Sequence, residues 1–130
     1  MKIAGVILAA GLGTRMNSSL PKVLHPLHGM PMLQYVVDML ETLKPKQIIA
    51  VVGKHSEGIR DAIHGPGTLT YVQQKEPKGT GHALLQAVKP LRNFPGTVLV
   101  VNGDCPLLTA GTLKEFLAEH RMRKNDISLL

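Results

Sequence analysis

Apolar residues fall along this chain in short continuous runs separated by stripes of helical spacing. Ile3 to Leu8 is one such run and reads as a buried strand. Gln47 to Val52, with Ile48, Ile49, Val51 and Val52, and Thr97 to Val101 read the same way. Leu69 to Gln73 is a weaker strand, set off by the turn Gly65-Pro66-Gly67. Between the strands, Pro31 is well placed as the first residue of a helix reaching Leu43, with Leu33, Val36, Val37 and Leu40 on one face. Lys44-Pro45 ends it. Ser56 is placed to cap a short helix through Ile63. A third helix is expected from Thr80 to Leu91, burying Ala83, Leu84, Ala87, Val88 and Leu91, and a last one from Leu113 to Arg123.

Strands alternating with helices imply a mostly parallel sheet with crossover helices, a three-layer α/β domain of the doubly wound kind. Ligands of such sheets bind outside the carboxyl ends of the strands. No internal repeat, low-complexity tract or linker interrupts the pattern. The closing residues Ile127-Ser128-Leu129-Leu130 read as the opening of a further strand, so the chain is expected to be the front part of a longer domain, and its apolar end is a template for association.

Composition narrows the partners. With 44% hydrophobic residues in 130, one core is affordable, and at 3% aromatics it must be aliphatic. Lys and Arg outnumber Asp and Glu by 15 to 9, a balance that suits a polyanion but also plain solubility. Scarce aromatics argue against single-stranded nucleic acid, and no dense basic run marks a duplex-binding face. The sole cysteine, Cys105, excludes an internal disulfide and fits a reducing, cytoplasmic setting. The apolar start passes into a glycine-rich loop rather than a cleavage site, which disfavours a signal peptide. No apolar stretch approaches the ~18–20 residues that span a bilayer.

Three segments carry candidate chemistry. After the first strand, Leu8-Ala9-Ala10-Gly11-Leu12-Gly13-Thr14-Arg15-Met16 leaves without bulky side chains, so backbone N–H groups can approach a phosphate or a base. It is not a P-loop, because no Lys-Ser or Lys-Thr follows its glycines, and Met16 stands where a dinucleotide fingerprint needs its third glycine. Arg15 and Lys22 lie on the same loop and suit a phosphate chain, and Pro21 stiffens the backbone before Lys22. Solvated surface charge is the plain alternative. After a later strand, Asn102-Gly103-Asp104-Cys105-Pro106 places a carboxylate where Mg²⁺ can be held, or a simple turn aspartate. Cys105 has no adjacent histidine to activate it and reads as a packed small side chain. Finally, Gln74 closes a strand and Gly79-Thr80-Gly81-His82-Ala83 opens a helix, an arrangement suited to a nucleobase edge or to ordinary capping by Thr80. His82 is the histidine most suited to a role; His25 and His28 have no metal-ligand partners in the sequence.

Taken together, Leu8-Ala9-Ala10-Gly11-x-Gly13-Thr14-Arg15-Met16, then Leu20-Pro21-Lys22-Val23-Leu24-His25, resemble the signature of sugar-nucleotide pyrophosphorylases. With Gly79-Thr80-Gly81-His82-Ala83 and Gly103-Asp104-x-Pro106-Leu107, the chain resembles the uridylyltransferase part of the bacterial bifunctional N-acetylglucosamine-1-phosphate uridylyltransferases. The resemblance covers nearly the whole chain. It implies a Rossmann-like nucleotidyltransferase fold and a Mg²⁺-dependent reaction of UTP with N-acetylglucosamine 1-phosphate, giving UDP-N-acetylglucosamine and pyrophosphate. Matched position by position, it implies that Leu8, Ala9, Ala10, Gly11, Gly13 and Gln74 contact the nucleotide and that Gly79 and Thr80 lie at the base. Arg15 and Lys22 would hold the triphosphate, Asn102 would join the substrate site, and Asp104 would bind Mg²⁺. Members of the family are longer, with later residues completing the sugar site and the metal site. Their β-helix acetyltransferase domain, through which they form trimers, has no counterpart here. The chain is therefore expected to bind nucleotide and to turn over poorly alone. A molybdenum-cofactor guanylyltransferase of the same fold and a non-catalytic nucleotide-binding module are the alternatives.

Overall fold

Four apolar runs pair side by side, all in parallel, in the computed structural model, which describes residues 1–11, 19–54 and 56–130. In chain order the elements are β1 (Ile3–Ala9), a 3₁₀ turn (Lys22–Leu24), β2 (Pro26–Leu27), β3 (Met30–Pro31), α1 (Met32–Glu41), β4 (Gln47–Val52), α2 (Glu57–Ala62), β5 (Leu69–Gln73), α3 (Thr80–Leu85), β6 (Thr97–Asn102) and α4 (Ala110–Met122). The main sheet runs β5-β4-β1-β6, and β2 and β3 form a separate small hairpin. β1 and β4 are the inner strands, and β1 has Ile3 opposite Thr97 on one side and Ala4 opposite Gln47 on the other.

Because side chains alternate across a strand, each apolar run supplies both faces of the sheet. Ile7, Ala9, Ile48, Ala50, Val52, Leu99 and Val101 face α1, α2 and α4, where Leu33, Val36, Val37, Leu40, Ile59, Leu113 and Leu117 close the larger core. Val6, Ile49 and Val51 face Ala83 and Ala87 of α3 and the turns after it. The three-layer doubly wound expectation therefore holds. The Gln34 side chain joins α1 to the segment after α2, its Nε2 donating to the His64 carbonyl at 2.6 Å and its Oε1 accepting from the His64 amide at 2.8 Å. Arg60 of α2 stacks over Tyr71 of β5, 5.2 Å from the ring centroid.

Several expected boundaries move. Pro31 closes β3 and stands just before α1 rather than inside it. Ser56 occupies the N-cap position of α2, but its side chain makes no capping bond. The helix expected to reach Leu91 stops at Leu85 and tightens into turns in which Gln86, Ala87 and Val88 donate to the third residue back. Pro90, which has no N–H to continue the ladder and disfavours helical backbone at Lys89, bars these turns from extending as regular helix beyond it. Val88, assigned to the buried stripe, is consequently 58% exposed. α4 begins three residues early because the Thr109 hydroxyl accepts from the Thr112 amide at 3.2 Å. No strand forms at Ile127–Leu130. Ser128 Oγ instead lies 2.9 Å from His120 Nδ1 and accepts from Asn125 Nδ2, which ties the segment to the end of α4, and Ile127, Leu129 and Leu130 are exposed. The hairpin of β2 and β3 was not expected. His28 and Gly29, at φ +50° and +78°, form its turn.

Candidate functional site

From β1 the chain builds outward to β4 and then β5, and returns to the other side of β1 with β6. The order reverses between β1 and β6, and a crevice at such a switch point is where doubly wound sheets bind ligands. Two of the three candidate segments leave the sheet there. Ala10 and Gly11 follow β1, and Gly103 and Asp104 follow β6, with Leu8 in register opposite Asn102.

The two exits are tightly joined. The Gly103 amide donates to the Leu8 carbonyl at 2.9 Å. A Cβ at Gly103 would stand 3.0 Å from Val23 Cγ1 and 3.3 Å from both Ala9 Cβ and the Leu8 oxygen, so the absence of a side chain lets the 3₁₀ turn settle against the end of β1. That turn is closed by the Leu24 amide donating to the Pro21 carbonyl at 2.9 Å and is anchored by buried Val23 and Leu24. Lys22 is thereby held toward the β6 exit, and its Nζ lies 2.8 Å from Asp104 Oδ2. The two side chains are 40% and 34% exposed. A pair this open contributes only about 0–1 kcal/mol, so it can separate when a ligand offers better partners. Cys105 is exposed, a correction to its expected packing. Partial burial, then the neighbouring Asp104 carboxylate, raises its thiol pKa, which agrees with its not being a nucleophile.

The third segment lies on the α3 side of the sheet. Gln74 follows β5, its amide donating to the Val52 carbonyl at 2.8 Å, and the residue is 6% exposed. Its Nε2 donates to the Gly79 carbonyl at 3.2 Å and lies 2.9 Å from His82 Nδ1. Gly79, not Thr80, occupies the N-cap position of α3, at φ +96° and ψ 176°. That backbone region is essentially closed to other residues. Gly79→Ala is expected to lower stability by about 1–2 kcal/mol, read from the denaturation midpoint, and to disturb the carbonyl that Gln74 uses. Gly79 and Thr80 are exposed. Thr80, Leu8, Asn102 and Cys105 share one open groove, which brings the start of α3 to the ends of β1 and β6.

Of the sequence candidates, Leu8, Ala10, Gly11, Lys22, Thr80, Asn102 and Asp104 reach this end of the sheet. Ala9 is buried on the opposite face beneath Gly103. Gly13 and Arg15 lie outside the described residues. Gln74 and Gly79 form a second cluster with no hydrogen bond to the Lys22–Asp104 pair among the described residues. Sequence reasoning missed both the Lys22–Asp104 ion pair and the bond between His82 and Gln74, because neither follows a local spacing. The described residues hold no group of three His, Cys, Asp or Glu side chains able to enclose a metal. Among them, no helix is long and apolar enough to cross a membrane.

A parallel sheet with a glycine-rich exit from its first strand, and a cation and a carboxylate meeting at the switch point, defines a nucleotidyltransferase domain. The chain belongs to the family of MobA-like NTP transferase domains, whose model matches residues 5–130. Among its relatives is the bifunctional protein GlmU of Thermus thermophilus, 52% identical over 119 residues, which cover 91% of this chain and 26% of that protein. GlmU of a Picosynechococcus species is 42% identical over 98% of this chain and 28% of its own length. The chain thus spans little more than a quarter of the curated relatives it matches, over their N-terminal nucleotidyltransferase domain. Among solved structures, Rv0371c from Mycobacterium tuberculosis superposes with a TM-score of 0.75 at 26% identity, covering 90% of this chain and 59% of that one. A UDP-glucose pyrophosphorylase complexed with UDP-glucose matches with a TM-score of 0.75 over 95% of this chain and 55% of its own, at 22% identity, a likeness of fold.

Proposed function

We propose that the chain carries the nucleotide-binding part of a uridylyltransferase that moves UMP from UTP to N-acetylglucosamine 1-phosphate, forming UDP-N-acetylglucosamine and releasing pyrophosphate. The observation that carries this reading is the Lys22–Asp104 pair at the switch point, beside the glycine-rich exit of β1. The GlmU name of the curated relatives supports the substrates.

In the proposed complex the backbone from Leu8 to Gly11, with Gly13, lies along the nucleotide, and Gln74, Gly79 and Thr80 meet the base. Lys22 turns from Asp104 to the triphosphate, joined by Arg15, and Asn102 borders the substrate. Asp104 is then free to hold Mg²⁺. A half-exposed, hard carboxylate at a strand end suits that ion, which takes one or two protein carboxylates and completes its shell with phosphate oxygens and water. When bound, Mg²⁺ would neutralise charge on the phosphates. A phosphate oxygen of the sugar phosphate attacks the α-phosphorus, and the bond to the departing pyrophosphate breaks. The chain's residues contribute by holding the triphosphate in line and countering its charge, without a covalent intermediate. This makes it a cytoplasmic protein acting on small molecules, not on nucleic acids or membranes. Catalysis and the trimeric assembly of the longer relatives would need residues beyond those described here.

Thermal stabilisation by UTP, GTP and CTP, each with and without Mg²⁺, tests the reading. UTP is expected to raise the Tm most, and more with Mg²⁺. A preference for GTP would move the assignment to a guanylyltransferase, and no shift with any nucleotide would remove the nucleotide site.

A further inference from the structure

A glutamine amide is not a selective reader of a base. Rotated by half a turn it presents either a donor or an acceptor, so by itself it pairs as readily with cytosine as with uracil. At Gln74 the orientation is fixed by its neighbours. The Gly79 carbonyl can only accept, so the amide atom 3.2 Å from it must be Nε2. The second Nε2 proton points at His82 Nδ1, 2.9 Å away, which must therefore be the unprotonated ring nitrogen. Both amide protons are engaged. No described donor reaches Gln74 Oε1, and it is not among the buried side-chain polar atoms left without a partner, of which His25 Nε2 is the only one among the described residues.

We propose that His82 is a positioning residue for base specificity: it locks the Gln74 amide so that Oε1 alone faces the nucleotide, which admits uracil and rejects cytosine. The inference rests on the uridine site proposed above. Uracil presents an N3–H flanked by two carbonyls, and its proton meets the fixed acceptor. Cytosine presents a bare N3 lone pair there, so two acceptors would face each other, and the relieving flip of Gln74 would break its bonds to Gly79 and His82. The lock does not separate uracil from guanine, whose N1–H is also a donor, so the informative comparison is UTP against CTP. His82 is the third residue of α3, where its backbone carbonyl accepts from Gln86 Nε2 at 3.0 Å, and it suits the task because a neutral imidazole offers a rigid acceptor. An asparagine there offers Oδ1 near the position of Nδ1, whereas alanine offers nothing.

The test is calorimetric titration of the 130-residue chain, its His82→Ala variant and its His82→Asn variant with UTP and with CTP in Mg²⁺. Wild type is expected to prefer UTP. In His82→Ala the UTP-to-CTP preference should fall about five- to tenfold, the size expected of one hydrogen bond, and His82→Asn should restore most of it. An unchanged ratio in His82→Ala, including an equal loss of both nucleotides, overturns the lock while leaving the uridine site standing. Wild type that does not prefer UTP over CTP overturns the uridine site and the lock with it, before any variant is made. If His82→Ala does not fold, the ¹⁵N resonances of the His82 ring in wild type decide the matter: unprotonated Nδ1 supports the lock and protonated Nδ1 overturns it.

Discussion

Lys22→Ala is expected to weaken UTP binding in Mg²⁺ by about ten- to a hundredfold, the scale of a hydrogen bond to a charged group, while slightly strengthening the binding of a divalent cation alone. The opposite signs follow from the pairing. With no nucleotide present, Lys22 Nζ occupies Asp104 Oδ2 at 2.8 Å, so a cation must displace it. Removing the amine removes that competition, but the half-exposed pair contributes only about 0–1 kcal/mol, so the gain for the metal is at most about fivefold. With nucleotide present, the amine is proposed to move to the triphosphate, where it faces more negative charge than one carboxylate provides, and its loss is felt in full. Calorimetric titration with UTP, and Mn²⁺ titration followed by electron paramagnetic resonance, read the two effects separately. Weaker cation binding in the variant would show that Lys22 does not compete for Asp104, and unchanged UTP binding would take it out of the phosphate site.

Gly103→Val is expected to lower stability by about 2–3 kcal/mol, the upper part of the range for overpacking, and to loosen the site as well. Even a lone Cβ would stand 3.0 Å from Val23 Cγ1 and 3.3 Å from the Leu8 carbonyl oxygen, and valine adds two further carbons to a space bounded by backbone. The side chain most able to give way is Val23, and it is one of the two anchors of the turn that aims Lys22. The substitution should therefore shift the denaturation midpoint and also weaken UTP binding at temperatures where the protein remains folded. Loss of stability with unaltered UTP affinity would mean that Lys22 reaches its partner without the packing beneath it. By contrast, a Cβ at Gly11 would meet nothing within 4 Å among the described residues.

The strands were legible almost to the residue: β1 and β4 are continuous apolar runs buried on both faces, β6 is an apolar run whose Val98 and Val100 stay exposed, and the weaker β5 is set off by the turn before it. β4 and β5 have the expected bounds, while β1 and β6 each run one residue further, since Ala9 pairs with Val52 and Asn102 with Leu8. Helix ends were less legible. The apolar spacing continues through Val88 and Leu91, but the chain tightens into turns after Leu85, and Pro90 bars regular helix beyond them. The β2–β3 hairpin has two residues in each strand, too few for any periodicity, and its turn sets His28 at a positive φ that its residue type does not announce. For the site, the sequence named Lys22 and Asp104 separately and had no means of joining them, because their contact is created by the reversal of strand order and by the missing side chain at Gly103. The link from Gln74 to His82 likewise crosses the turn at Gly79, whose backbone shape sets it.

The strand order also bears on how the chain reaches this state. β1 is the first strand to be made, yet its partner β6 comes from the far part of the chain, Ile3 lying opposite Thr97. Bringing those segments together closes a long loop before any contact between them is gained, and the entropy of that closure slows folding even where the helices form quickly. Until β6 pairs, one edge of β1 presents unpaired backbone N–H and C=O groups to a neighbouring chain. The strand that leads into the glycine-rich segment is therefore enclosed on one side only by a segment from far along the chain, and the crevice at the β1–β6 boundary forms only when the two meet.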